Sequence, residues 1–200
     1  MKEIRTKNVI LALLFLLSCV VIIVSGCSKV SKSEISYSPV VCQYSTSPNW
    51  GMTIEFFSFN IKVMDNNTVE VYCGDYEGRA NGEEFTVDYI YGETFEITEE
   101  QKQEIIDIIK KNKISWLGDC SSLSTDGSDS YIMLFDENGE VIHTCGGLNP
   151  ERKRFVKTKD ALFDLLPEGT YSDIREKAKT ILIEDLAEKY PDDYGHWMED

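Results

Sequence analysis

The chain has only two histidines, His143 and His196, so a serine or cysteine triad would have to draw its base from those two positions. It has no G-x-S-x-G elbow, no H-E-x-x-H zinc motif, no P-loop and no strand-placed G-x-G-x-x-G. The familiar signatures of hydrolases, zinc proteases and nucleotide enzymes are therefore missing. C-x-x-C is also absent, which leaves a thioredoxin-like redox pair or a ribbon-type zinc knuckle without support. Cations are scarce: 20 Lys and Arg against 35 Asp and Glu give a formal charge of −15. That balance disfavours nucleic acid, and it disfavours adhesion to anionic lipid or wall polymers. A basic protein or a cation remains compatible with it, as does acidity that simply keeps the protein soluble.

Long apolar runs are equally scarce, and the single one stands at the start. Lys2, Arg5 and Lys7 precede a stretch from Val9 to Val24 broken only by Ser18 and Cys19. Its sixteen residues fall short of the roughly 20 that a spanning helix wants, and the basic start followed by small residues is signal-peptide grammar. Val24-Ser25-Gly26-Cys27 resembles the lipobox of bacterial lipoproteins. The resemblance implies diacylglycerol on the Cys27 sulfur, cleavage before Cys27 and an anchor on the extracytoplasmic face of the cell membrane. Two or three acyl chains hold a protein stably where one does not. The expected organisation is a signal peptide over residues 1–26, a lipidated cysteine and flexible tether over 27–38, and one α+β domain over 39–200.

Removing residues 1–26 takes away three cations and one anion, so the mature charge is −17. Cys42, Cys73, Cys120 and Cys145 remain besides Cys27, and in an exported protein four cysteines allow three disulfide pairings. Buried free thiols are the alternative.

From Thr53 the pattern alternates, with a change of phase at Phe56-Phe57 that a bulge would reconcile. Asp65-Asn66-Asn67 reads as a three-residue turn, which sets Val63 opposite Val69, Ile61 opposite Val71 and Phe59 opposite Cys73. Gly74 to Glu84 reads as a loop, and Phe85 to Tyr91 as a strand that turns at Gly92-Glu93 and continues to Ile97. Thr98 with Gln101 makes a capping box for a helix over 99–112 that buries Ile105, Ile108 and Ile109. After an irregular stretch, Tyr131–Phe135 and Val141–Cys145 form a second hairpin around Glu137-Asn138-Gly139, apolar on both faces and so expected to be central. Asn149-Pro150 or Thr158 starts a further helix, Pro167-Glu168-Gly169 breaks it, and a last helix runs from about Ser172 to Tyr190. The order ββββαββαα predicts an α+β fold: an antiparallel sheet from two or three hairpins packed against about three helices.

Candidate site residues are few. His143 and Cys145 share one face of a strand, and with Cys120 they have the chemistry for zinc or for a Cys–His pair, though no ligand pair has a standard metal-site spacing. The competing interpretation is a sheet-surface histidine beside a buried cysteine. Asp126 and Asp129 offer a loose cation site, but Tyr131 stands where a calcium loop needs glycine. Gly146-Gly147 could present backbone N–H groups to an anion or could simply turn the chain into a helix. The acidic tail from Asp192 to Asp200 carries Trp197, which reads as docking onto the domain.

Between Thr94 and Pro167, the helix after Thr98, the hairpin from Tyr131 to Cys145 and the Gly146-Gly147-Leu148-Asn149-Pro150 exit resemble small lipoproteins of unassigned function from Gram-positive bacteria. The resemblance brings no active site and implies no cofactor. The expectation is a membrane-anchored binding or interaction module of the cell envelope, with an envelope protein or small ligand as partner. An envelope hydrolase or thiol enzyme using a Cys/His pair is the alternative.

Overall fold

The hairpin at Asp65-Asn66-Asn67 adopts the expected register. Strand β2 (Ser58–Met64) pairs with β3 (Thr68–Gly74), with Val63 opposite Val69, Ile61 opposite Val71 and Phe59 opposite Cys73. All six side chains are fully buried, because alternation gives each strand one continuous apolar face. Asn67 takes a positive φ of 64° to close the turn, a conformation asparagine tolerates.

This computed structural model describes residues 40–48, 55–123 and 126–192, all within the unit Ser38–Asp200. The signal peptide, the tether, the expected strand start at Thr53 and the tail from Asp193 with Trp197 lie outside the described residues.

Around this hairpin the main sheet has six strands in the order β6-β3-β2-β1-β7-β8, and β4 and β5 form a separate two-stranded ribbon. Every strand pair is antiparallel. The structure is therefore α+β, with three helices among the described residues. Strand β1 (Val40–Pro48) was not foreseen, since its buried face carries only Cys42 and Tyr44 before giving way to Thr46. The bulge expected at Phe56-Phe57 does not form within a strand, since both residues precede β2 at Ser58; the sheet's register instead shifts in β1 between Val40 and Cys42 and in β7 between Leu134 and Phe135.

The segment read as a loop contains β4 (Tyr76–Ala80) and the start of β5 (Glu83–Val87), turned by Asn81-Gly82 with φ of 51° and 81°. Gly92-Glu93 is not a turn. Both residues lie inside β6 (Tyr91–Glu96), where a Cβ on Gly92 would stand 2.6 Å from Tyr72 and from the Val71 carbonyl.

Helix α1 (Glu99–Lys111) starts at the expected capping box: the Gln101 N–H donates to Thr98 Oγ1, and Gln101 Oε1 accepts from the Thr98 N–H. A short 3-10 turn (Ile114–Trp116) follows. The second hairpin, β7 (Ser128–Phe135) and β8 (Val141–Leu148), is present. It is not central, because β8 is an edge strand.

Neither expected start of the next helix is right. Helix α2 (Lys153–Phe163) begins after Arg152, while Thr158 is buried inside it, donating to the Arg154 carbonyl and accepting from Asn112 Nδ2. Helix α3 (Thr170–Lys189) buries Ile174, Ala178, Leu182 and Leu186, as expected from their spacing. Phe163 and Tyr171 meet Phe59 at ring distances of 5.9 and 4.7 Å, tying the helices to the centre of the sheet. Among the described residues no helix is long and apolar enough to cross a membrane.

Candidate functional site

The end of β8 is where the chain builds something beyond a core. Gly146 and Gly147 have φ of 144° and 131°, and the segment after the 3-10 turn lies directly against them. The Cys120 N–H donates to the Gly146 carbonyl at 2.6 Å, the Gly146 N–H to the Gly118 carbonyl at 3.3 Å, and the Ser122 N–H to the Leu148 carbonyl at 2.8 Å. A Cβ on Gly147 would stand 2.2 Å from Ser121 Oγ, and one on Gly146 would stand 2.0 Å from the Ser130 carbonyl oxygen. The Gly-Gly pair therefore serves close backbone approach within a strand. It is neither a turn into a helix nor an open anion nest, since the Gly146 N–H is already spent on Gly118.

Beside this crossing lies an open cleft of about 340 Å³, with Asp119, Ser121, Asp129, Tyr131 and Thr144 as its polar lining and Cys145 and the two glycines as part of its wall. Asp119 accepts from Ser121 Oγ at 2.6 Å and from the Ser121 N–H at 2.8 Å. Those bonds, with the Arg152 charge behind them, hold its carboxyl below the usual carboxylate range. Burial and then the negative charges of Asp129 and Asp119 push the Tyr131 hydroxyl up. At neutral pH the cleft thus offers an ionised acceptor and a neutral phenol. A larger hollow of about 630 Å³ lines the exposed side of α1, but all of its walls are side chains of that one helix.

The Cys–His candidates are placed near one another and are chemically quiet. His143 Nε2 lies 2.7 Å from the Leu117 carbonyl. A carbonyl only accepts, so this nitrogen carries hydrogen. Cys120 and Cys145 are buried. Burial first, and then the neighbouring Cys120 sulfur, push the Cys145 thiol up to about 11. Burial likewise raises Cys120, with Arg152 and Arg154 opposing and Asp119 reinforcing. A nucleophilic cysteine needs the opposite shift. Cys42 and Cys73 are also buried free thiols, each pushed by burial to about 12, with Arg175 opposing at Cys73.

Asp126 stands in the loop before β7, and Asp129 lies in β7 itself. The Asp126 carbonyl accepts from Asn149 Nδ2 at 2.6 Å, while Asn149 Oδ1 accepts from the Ser128 N–H at 3.0 Å, so one amide side chain braces both sides of the loop. Asp129 belongs to β7, opposite Ser47 and Leu148. Among the described residues no three His, Cys, Asp or Glu are grouped to hold a metal ion.

Two of the five candidate residues, Cys145 and Asp129, line the cleft. Asp119, Ser121, Tyr131 and Thr144 were missed. The available signal was the glycine pair, which in a strand marks a place where another backbone comes close. The chain matches no protein family, and no curated protein is significantly similar to it.

Proposed function

We propose that the protein is a lipoprotein anchored through Cys27 to the outer face of the cell membrane, and that its folded unit binds a small polar ligand or an envelope protein without transforming it. The leader supports the address: a basic start, an apolar run and Val24-Ser25-Gly26-Cys27. The observation that carries the binding role is the contrast inside one neighbourhood. The cleft presents Asp119, Asp129, Tyr131 and Thr144 to solvent, while the thiols beside it are buried and raised and His143 is engaged by a backbone carbonyl. Carboxylates with a phenol and a hydroxyl suit a ligand bearing hydroxyl or ammonium donors. The thiol-enzyme reading has the right residue types in one region but the wrong ionisation for attack.

Three measurements test this. Cys27→Ala abolishes labelling by an alkyne fatty acid; retained labelling at another residue overturns the anchor. A thermal-shift series with sugars, amino acids and polyamines yields a ligand whose stabilisation is lost in Asp129→Asn. Turnover of an envelope substrate that disappears in Cys145→Ser would replace the binding role with the enzyme.

A further inference from the structure

The cations of this acidic protein are not evenly spread. Lys110, Lys111 and Lys113 stand exposed at the end of α1. Arg152, Lys153, Arg154 and Lys157 stand exposed at the start of α2. No Asp or Glu occurs within 110–113 or within 152–159. The fold brings the two runs together: Asn112 Nδ2 donates to Thr158 Oγ1 at 2.9 Å, and an Arg154 Nη donates to the Asn112 carbonyl at 3.5 Å. Among the described residues none of these seven cations is in a salt bridge with a carboxylate.

Next to them, Trp116 is 82% exposed, the Lys113 ammonium lies 5.8 Å from its ring centroid, and Lys113 itself takes the left-handed conformation, with φ 51°, that turns the chain out of α1. An indole this exposed gains little by burial within the domain, and it stands at a cluster of cations that form no salt bridge, so the face offers apolar and cationic contacts to a partner.

We infer that this face docks on an anionic phospholipid bilayer. Net charge argues the other way, and Asp107, Glu151 and Asp160 border the patch, but charges further apart than about 8 Å are largely screened at physiological salt, so the more distant acidic surface does not cancel a cluster of seven cations. Each lysine or arginine near an anionic leaflet adds attraction, and tryptophan favours the headgroup level, where its ring is half in hydrocarbon and its N–H stays wet. A soluble polyanion would satisfy the cations but gives the bare indole nothing apolar to enter. The surface rests on the anchor reading for its supply of membrane. Thirteen residues, Cys27 to Pro39, precede β1, a tether that spans up to roughly 3.3–3.6 Å per residue, enough for a side face of a small domain to lie on the bilayer.

The test uses the full chain reconstituted into vesicles of phosphatidylcholine, with and without phosphatidylglycerol, that carry brominated acyl chains to quench nearby indoles. Flotation reports the anchor; the quenching lost in Trp116→Phe reports the face. The expected result is Trp116-dependent quenching only with phosphatidylglycerol, lost in Lys110→Gln/Lys153→Gln and at high salt while flotation is unchanged. Flotation without that quenching overturns the docking and leaves the anchor standing. If the chain does not float, the anchor reading has failed, and the same quenching on added phosphatidylglycerol vesicles still decides the face: its presence sustains the docking and its absence overturns it. Heparin shifting Trp116 emission where the vesicles produce no quenching would replace the bilayer with a soluble polyanion.

Discussion

The β2–β3 and β7–β8 hairpins follow the same local rule, apolar strands around a short polar turn, and end in opposite surroundings. In the first, Phe59, Ile61, Val63, Val69, Val71 and Cys73 are all fully buried, because β1 and β6 flank the pair and the helices cover one face. In the second, Ile132, Leu134 and Cys145 are buried, but Tyr131, Val141 and Ile142 are 38%, 52% and 64% exposed; among the described residues β8 is an edge strand, with the segment around Cys120 beside its far end. Apolarity on both faces therefore does not fix a strand's place in a sheet. The first hairpin supplies stability, and the second borders the cleft.

The sharpest way to break that contrast is to cut into both. Phe59→Ala removes a ring packed against Phe163 and Tyr171, and should cost about 3–5 kcal/mol in urea unfolding. A cost below about 1 kcal/mol would place it among ordinary surface changes and remove the first hairpin from the core. Gly146→Ala is the exception that the second hairpin should show. Its Cβ would meet the Ser130 backbone oxygen at 2.0 Å at a φ of 144°, so a loss of about 3 kcal/mol is expected. A neutral result would mean that the strand end is not held against its neighbour.

What was legible in the residues followed this same division. The β2–β3 register and the α1 capping box were readable because both are set by residues within a few positions of each other. Strand β1 was not, since its apolar residues Val40, Val41, Cys42 and Tyr44 give way to Ser, Thr and Pro, and one of its pairing partners, β7, lies far along the chain. The β4–β5 ribbon was hidden by Gly, Asn and charge, which serve a solvent-facing ribbon as readily as a loop. The start of α2 was misread because Asn149 is spent bracing the Asp126 loop rather than capping a helix. The cleft depends on Asp119 and Asp129 arriving from different elements, and no local pattern encodes that meeting.

The first hairpin also owes part of its order to a buried cation that composition could not locate. Lys102 is 6% exposed; its ammonium donates to the Asp65 carbonyl at 2.6 Å and pairs with Glu99 at 3.0 Å and Asp65 Oδ1 at 3.4 Å. Burial alone would lower its pKa, but the hydrogen bonds and charges of Glu99 and Asp65 outweigh it and hold the group above the ordinary lysine value. A folded pKa raised in this way gives stability that is fully present below the unfolded value of about 10.4 and is lost as pH rises through the folded one. Lys102→Met should cost about 2 kcal/mol near neutrality, and its unfolding free energy should lack that alkaline loss. An identical alkaline profile in the variant would show that Lys102 does not tie the turn to α1.

The smallest effect belongs to the exposed edge. Ile142→Thr keeps a β-branched residue, and so the strand preference, while removing apolar atoms that are already in water at 64% exposure. Little transfer free energy is at stake, so urea midpoints should move by less than about 0.5 kcal/mol of stability. A loss above about 1.5 kcal/mol, well outside the usual range for a surface position, would mean that something covers Ile142 in solution. Whether that cover is a second copy is then decided by the dependence of stability on protein concentration, since association stabilises by mass action. If the loss is concentration-independent, the β8 edge is covered from within the chain, and the contrast between the two hairpins is one of degree rather than of role.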